Sequence, residues 1–386
     1  MPKVTLKDVV SRIKDKVDKD NTDLEYYIGG EHFDNGEITI SSRGVIVGST
    51  IGPAFHMRFM PGDVLLMSRN PHLRKAAVVD FEGICSDVSY VCRTKDEKVL
   101  MQRFLPFIFQ TDHFWKFAEE NKKGSTNFFL NWSDFEKYEF ELLDIEKQME
   151  LVELLWSFVE TKNSYKVLLQ KTDELVKSQF IEMFGDPIGN PMAWPTKRLL
   201  EMGKCKNGMN FHAGDSGVEI HCLGVGDFKD LSIIKNTGEL PVISLNQMPA
   251  EDEMLHDGDI VFVRSNGNKM LVGRCLVVYP GEIPTTYSGF CIRYRKDYPE
   301  MDTMYLLQLL KMDSTRMKMV GRGANIQNLN QQILSSLQIP LPPMELQQEF
   351  VKFVEQSDKS KFELKQAIED VNNMMKVIME QNIGKE

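Results

Sequence analysis

The chain has 386 residues, 42% of them apolar and 10% aromatic, enough for two ordinary domains with real cores, which excludes a disordered chain. No stretch approaches about 18 uninterrupted apolar residues, and the charged start MPKVTLKDVVSRIKDKVDKD is unlike a signal peptide, so a cytoplasmic protein with no membrane partner is expected. The net charge of -10 argues, taken whole, against a nucleic-acid binder, but Glu141 to Asp186 holds ten acids against five bases and Pro343 to Glu386 nine against six, leaving the rest nearly balanced.

In chain order, Glu37 to Gly48 (EITISSRGVIVG), then DVLLMSR, KAAVVDF and VSYVCR read as short strands punctuated by Gly, Pro and Asn. Met101 to Glu120 reads as a helix. Asp144 can cap a long helix in which Leu155, Lys162, Leu169, Val176 and Met183 are seven apart, with Leu151, Phe158 and Tyr165 beside them. That is a heptad seam. FGDP (Phe184 to Pro187) supplies a terminal Gly and a breaker, and MFGDPIGNPMAWP links to a second half. There Met301 to Val320 again reads as a helix. Pro342 and Pro343 pre-set the first turn of a second long helix, and Glu345 suits its N-terminus. Its seam is Val354, Lys361, Ile368 and Met375, with Phe350, Ser357, Leu364, Val371 and Ile378 as the companion row. Each long helix covers about 40 residues, roughly 60 Å. Lys162 and Lys361 interrupt the two seams at equivalent places, either snorkelling from a seam edge or forming a register-setting polar layer.

The two halves are copies. From Gly124 and Gly323 to Gly185 and Gly384 the match runs at a constant offset of 199, through Glu146, Gln148, Glu150 and Val152 against Glu345, Gln347, Glu349 and Val351. Upstream, YIGGEHF resembles CLGVGDF at offset 195, PGDVLLMSRN resembles DGDIVFVRSN at 196, and SYVCR resembles GFCIR at 200. A period near 200 is too long for a solenoid, so these are two domains, each followed by a helix.

Catalytic patterns are weak. Asn70-Pro71-His72 and Asn190-Pro191-Met192 lack the second proline and aromatic of an adenine methyltransferase loop, and Gly224 to Gly226 lacks a third glycine. Glu120-Asn121-Lys122 and Glu363-Leu364-Lys365 match a nuclease-type Glu-x-Lys only as chance allows in so charged a chain. The cysteines (85, 92, 205, 222, 275, 291) form no C-x-x-C pair and read as buried thiols, so neither a metal site nor a catalytic residue is assigned. What remains are basic, amide-rich loops at duplicated positions. SRNPHLRK carries Arg69, Asn70, His72, Arg74 and Lys75. RSNGNKMLVGR carries Arg264, Ser265, Asn266, Asn268, Lys269 and Arg274. NKKGSTN carries Lys122 and Lys123, and GRGANIQN carries Arg322, Asn325 and Gln327. Arg43, in the first predicted strand, joins the candidates. Arg and Lys suit guanine edges and phosphates, and Asn and Gln suit adenine edges. Taken singly, each loop reads as a solvated hairpin tip; taken as four duplicated loops, they read as a shared DNA-binding face.

Two variable domains, each closed by a segment like IPLPPMELQQEFVKFVEQ and a long helix, together with the junction SQFIEMFGDPIGNPMAWPTKRL and the stretch DGDIVFVRSNGN, resemble the specificity subunit of Type I restriction–modification enzymes over essentially the whole chain. The first half departs from the pattern, with LLDIEKQ where a proline-rich start is usual. The resemblance implies an α+β fold: two α/β target-recognition domains in tandem pseudo-repeat, separated by two long antiparallel coiled-coil helices. The segments would be 1–143 (first domain), 144–185 (first helix), 186–342 (second domain) and 343–386 (second helix). It further implies a non-catalytic subunit in which each domain reads one half of a split double-stranded DNA site. The helices would set the gap and dock two methyltransferase subunits, with motor-nuclease subunits joining. S-adenosylmethionine, ATP and Mg would then belong to partners. A self-contained methyltransferase or nuclease with a divergent site, and a coiled-coil adaptor with no DNA role, are the competing readings.

Overall fold

The computed structural model describes residues 2–212, 214–229, 231–320 and 328–383. The chain divides into two compact units, Met1–Leu168 with Leu364–Glu386, and Leu169–Glu363. Both long helices form, over Ile145–Phe184 and Met344–Asn382. The division falls within each of them, where the sequence reading treats each helix as a segment of its own. The physical reason is packing: each half-helix shares a core with a domain. No helix among the described residues is long and apolar enough to cross a membrane.

In the first unit an antiparallel sheet runs in the order Val10–Ile13, Ser89–Thr94, Val64–Met67, Ala76–Val78. A second sheet runs Gly44–Val45, Tyr26–Ile28, Gly83–Ser86, Phe55–Phe59, with its central pair parallel. The second unit repeats this plan. Gly203–Asn207, Cys291–Lys296, Asp259–Val263 and Cys275–Val278 are ordered alike, with Ile233–Ile234 added at the edge. Val242–Leu245, Val218–Leu223 and Thr285–Tyr287 form the smaller sheet, again with one parallel pair. The runs VLLM and DIVFV are buried at every position because both faces of these strands are covered.

Three expectations change. Glu37 to Gly48 is not one strand. Only Gly44–Val45 and a bridge from Thr39 to Val78 pair, because Ser41, Ser42 and Arg43 are exposed and Ser41 donates to Asp34 at 2.6 Å. The helices predicted over Met101 to Glu120 and Met301 to Val320 are each broken in two. Leu105–Ile108 is followed by Asp112–Glu120, restarted where the Thr111 hydroxyl accepts from Phe114 N, and Thr303–Lys311 is followed by Asp313–Val320. Finally, Val64 pairs with Cys92 and Ile260 with Tyr294. Arg93 therefore corresponds to Arg295 and not to Arg293, at offset 202. A slip of two residues keeps every side chain on its face, so alternation could not expose it.

That register has chemical content. Arg93 donates Nη2 at 2.8 Å, and also Nε, to the buried carboxylate of Asp63, whose Oδ2 accepts from Met60 N at 2.7 Å. Arg295 donates to Asp259 at 2.9 and 2.8 Å, and Asp259 accepts from His256 N at 2.7 Å. The shared Gly-Asp of PGDVLL and DGDIVF is thus a bidentate, turn-closing ion pair. Removing one partner would strand a buried charge.

The repeated helix start has an equally specific cause. Gln148 is fully buried. Its Oε1 accepts from Met101 N at 3.0 Å, and its Nε2 donates to the carbonyls of Val99 and Leu143, both at 2.9 Å. Gln347 repeats the set: it accepts from Asp302 N at 2.8 Å and donates to Glu300 O at 3.2 Å and Pro342 O at 2.8 Å. One amide offers an acceptor and two donors, and here all are used. Asp144 caps the first helix, accepting from Lys147 N at 2.8 Å.

In the first unit Leu151, Val152, Leu155 and Val159 share one core with Phe107, Phe114 and Trp115, and with Val371, Met375, Met379 and Ile383 of the second long helix; Phe158 packs at its edge. In the second unit Val176, Phe180 and Phe184 share a core with Tyr305, Phe350 and Val354. There Phe180 stacks on Tyr305 at 5.6 Å and meets Phe350 edge-on at 5.4 Å. Leu169, Leu364 and Ile368 are only half-buried. The seam lysines differ. Lys162 is buried and bonds Glu37 at 2.8 Å, joined by Lys166 at 2.9 Å. Burial would raise the Glu37 pKa, but the two lysines offset this and hold it below the ordinary value. Lys361 does bridge the helices, to Asp173 at 3.0 Å, and also contacts Asp358 at 2.6 Å.

Replacing Gln148 or Gln347 with Leu leaves one N–H and two carbonyls unpaired. With roughly 1–3 kcal/mol per stranded group, each variant should unfold at clearly lower urea, whereas Leu at the exposed Gln170 should not. Equal midpoints for Q148L and Q170L would show that the buried amide does not hold the helix start.

Candidate nucleic-acid interface

In each unit the loop after the buried strand is laced to the residues that lead into the next short helix. Ser68 to Lys75 follows the buried strand Val64–Met67 and is laced to the segment after Asp112–Glu120. Leu130 N donates to Ser68 O at 2.8 Å, Asn70 N to Phe128 O at 2.9 Å, and Arg69 bridges Phe129. Lys123 and Phe129 exchange backbone bonds of 2.8 and 3.0 Å. This closes a turn in which Gly124 has φ 94°, and a Cβ there would lie 2.7 Å from Asn127 O. In the second unit Leu329 N donates to Arg264 O at 2.8 Å, and Ser265 bridges Asn328. Arg322, Asn325 and Gln327 lie outside the described residues.

Many candidate side chains serve the loops themselves. Lys75 Nζ donates to Gly30 O at 2.7 Å, and at the matching position Arg274 Nη1 donates to Lys229 O at 2.9 Å. Both tie the end of the loop to the turn after a strand of the other sheet, Tyr26–Ile28 in the first unit and Val218–Leu223 in the second. Arg74, at φ 49°, pairs with Asp112, to which Lys376 also binds at 3.3 Å. Lys122 pairs with Glu119 at 2.6 Å and lies over the Phe128 ring; Lys123 pairs with Asp134 at 2.6 Å. The Arg43 guanidinium stacks 3.9 Å above Tyr26 and 4.7 Å from Phe81, beside the sheet that holds Tyr26–Ile28 rather than in the loop pair. Asn266 accepts from Asn268 N at 2.8 Å and Asn268 from Met270 N at 3.0 Å, so both build the turn. Arg264 donates to Gly289 O at 3.3 Å.

The first loop therefore presents Arg69 and His72, exposed and without a side-chain bond among the described residues, beside Asn70 held left-handed at φ 52°. The second presents exposed Asn268 and Lys269 beside half-buried Ser265 and Asn266. Sequence reasoning missed the exposed Phe129, Met270 and Phe290 that flank these groups. It also missed Asp112, whose place three residues before Trp115 carried no charge-pair signal.

Burial would raise the Asp112 pKa, but Arg74 and Lys376 reverse this and hold it below the ordinary carboxylate value. A depressed folded pKa gives stability that is complete above the unfolded value, near 4, and is lost as pH falls through the folded one. The unfolding midpoint of the wild type should thus exceed that of Asp112→Asn at neutral pH, and the two should converge on acidification below about pH 4. A gap that does not change with pH would remove the ion pair from this account.

The comparisons with known proteins agree with this arrangement. Residues 226–372 match the Type I restriction modification DNA specificity domain. The chain is 24% identical over 348 residues to the Type I restriction enzyme StySPI specificity subunit of Salmonella potsdam, covering 82% of this chain and 71% of that one. A chain from a structure of complex assembly and conformational transition in the type I R-M system superposes with a TM-score of 0.56 at 17% identity, covering 98% and 96% of the two chains. The Type-I restriction-modification S subunit from M. genitalium gives 0.50 at 16% identity, covering 98% and 94%. At such identities the structural likeness speaks for a shared mixed α/β fold. Residues 226–372 thus match a Type I DNA specificity domain, and the chain as a whole is similar to Type I restriction–modification specificity subunits.

Proposed function

We propose that this chain reads a bipartite double-stranded DNA sequence, one half-site for each loop pair. The observation that carries the reading is the duplication of a whole mechanical unit. A buried strand ends in a polar loop, that loop is laced to a second one, and the frame is locked to a long helix by the same three-bonded glutamine. A protein reading one continuous site has no need of two such frames with different loop chemistry.

In this reading the chain supplies recognition. Methyl transfer and cleavage belong to two methyltransferase subunits and to motor-nuclease subunits, which bring S-adenosylmethionine, ATP and Mg. The first long helix leaves Met149, Leu154, Val167 and Leu168 exposed in the first unit, and Leu175 and Ile181 in the second, apolar side chains suited to holding such subunits. Several loop cations are already paired internally and the chain is net acidic, so partners must neutralise part of the DNA phosphate charge. The isolated chain should therefore bind DNA weakly and the assembled complex tightly. Tight, sequence-specific binding by the chain alone would contradict this.

The helices act as an antiparallel spacer. Within each unit the start of one helix shares a core with the end of the other, as that reading requires. Inserting four residues between Asn163 and Lys171 lengthens one helix by about 6 Å. At roughly 3.4 Å per base pair, the unread gap should grow by about one to two base pairs while both half-sites stay the same. Methylated positions mapped across a genome expressing the variant with its partners would show this. An unchanged gap, or altered half-site bases, would sink the spacer.

A further inference from the structure

Phe290 is 61% exposed, at the tip of the turn joining Thr285–Tyr287 to Cys291–Lys296. Exposing so large a ring needs a reason, since burying it would stabilise the fold. The tip is not loose. Phe290 O accepts from Arg264 N at 2.8 Å and Ser265 N at 3.3 Å, and Gly289 O accepts from the Arg264 guanidinium at 3.3 Å. On the other side Gly289 N donates to Met209 O at 2.7 Å, and Gly208 N donates to Cys291 O at 3.1 Å. A Cβ on Gly208 would meet Ser288 O at 2.1 Å, so only glycine permits this approach.

The first unit shows what the same tip does without this feature. Ser68 N donates to Val88 O at 2.8 Å, the bond that corresponds to Arg264 N with Phe290 O. Yet Val88 is half-buried and packs against the core of its sheet. The frame has not forced an apolar residue outward. Of the two, the second unit places one there, on a tip whose backbone is bonded to Arg264 and Ser265 at the start of the amide-rich loop.

Resting on the DNA-reading function proposed above, we infer that Phe290 is a specificity-determining residue of the second half-site and contacts the C5-methyl group of a thymine in the major groove. A groove edge offers few apolar atoms, and the thymine methyl is the one that an apolar side chain can select. A ring on a tip whose backbone is locked to Arg264 and Ser265 suits that task. The neighbouring polar groups cover the hydrogen-bonding edges, and the ring excludes water from the methyl.

The test uses the full chain assembled with its methyltransferase subunits, on duplexes carrying the site found by methylation mapping. Each thymine of the half-site is replaced in turn by deoxyuridine, which lacks only the methyl. At one position wild-type affinity should fall about fourfold, the value of one buried methyl. Phe290→Ala should bind the thymine duplex correspondingly less and show no preference there, while Phe290→Leu keeps most of it. Because the side chain is exposed, both variants should retain the wild-type unfolding midpoint. Site-specific binding with no thymine whose methyl depends on Phe290, including a half-site without thymine, would overturn the inference and leave the DNA-reading function standing. A complex with no sequence preference at all would overturn that function, and this inference with it.

Discussion

The architecture depends on a polar group placed where polar groups are costly. Gln148 and Gln347 each sit fully buried at the first turn of a 40- or 39-residue helix. Each spends its acceptor on a backbone N–H of the preceding domain and its two donors on carbonyls. A partly satisfied amide in such a place would destabilise the fold, and a fully satisfied one fixes geometry. No other side chain offers one acceptor and two donors in so short a span except asparagine, which is a methylene too short. The motif therefore recurs 199 residues apart because the mechanical problem recurs: a long helix must leave a domain in one direction only.

Everything nearer the loops inherits that fixed frame. The half-helices carry the domain cores outward through Leu155 and Met375, and through Phe180 and Phe350. The Asp63–Arg93 and Asp259–Arg295 pairs lock one end of each central strand, and the laced loops hang from the other. On this shared frame the two loop pairs differ in chemistry. In the first, Arg74, Lys122 and Lys123 are bound to carboxylates and Arg69 is left outward. In the second, asparagines shape the turn and an aromatic ring stands at the tip. Such division suits recognition, since phosphate contacts position a protein and base-edge contacts discriminate sequence.

Much of this was legible in the residues. The two long helices, the Asp144 cap and the loop positions rest on local spacing, and the copy structure on direct matching of the two halves. What escaped depends on long-range partners. Lys162 looked like Lys361, but its counter-charge, Glu37, lies 125 positions earlier in a segment read as a regular strand. The correspondence of Arg93 with Arg295 was hidden because a two-residue slip leaves alternation intact. Phe290 was invisible as a surface residue, since an aromatic beside a strand is normally core. Only the bonds that hold its tip outward reveal it.

The most direct measurement of the central claim is a hydroxyl-radical footprint of the chain assembled with methyltransferase subunits on its DNA. Two loop pairs on separate frames predict two protected base blocks. Within each block, the bases whose substitution abolishes binding should cluster, and every intervening base should be replaceable without loss of affinity. A single uninterrupted block of sequence-sensitive bases would contradict the account, because one continuous reading surface would then be doing what two copies are claimed to do.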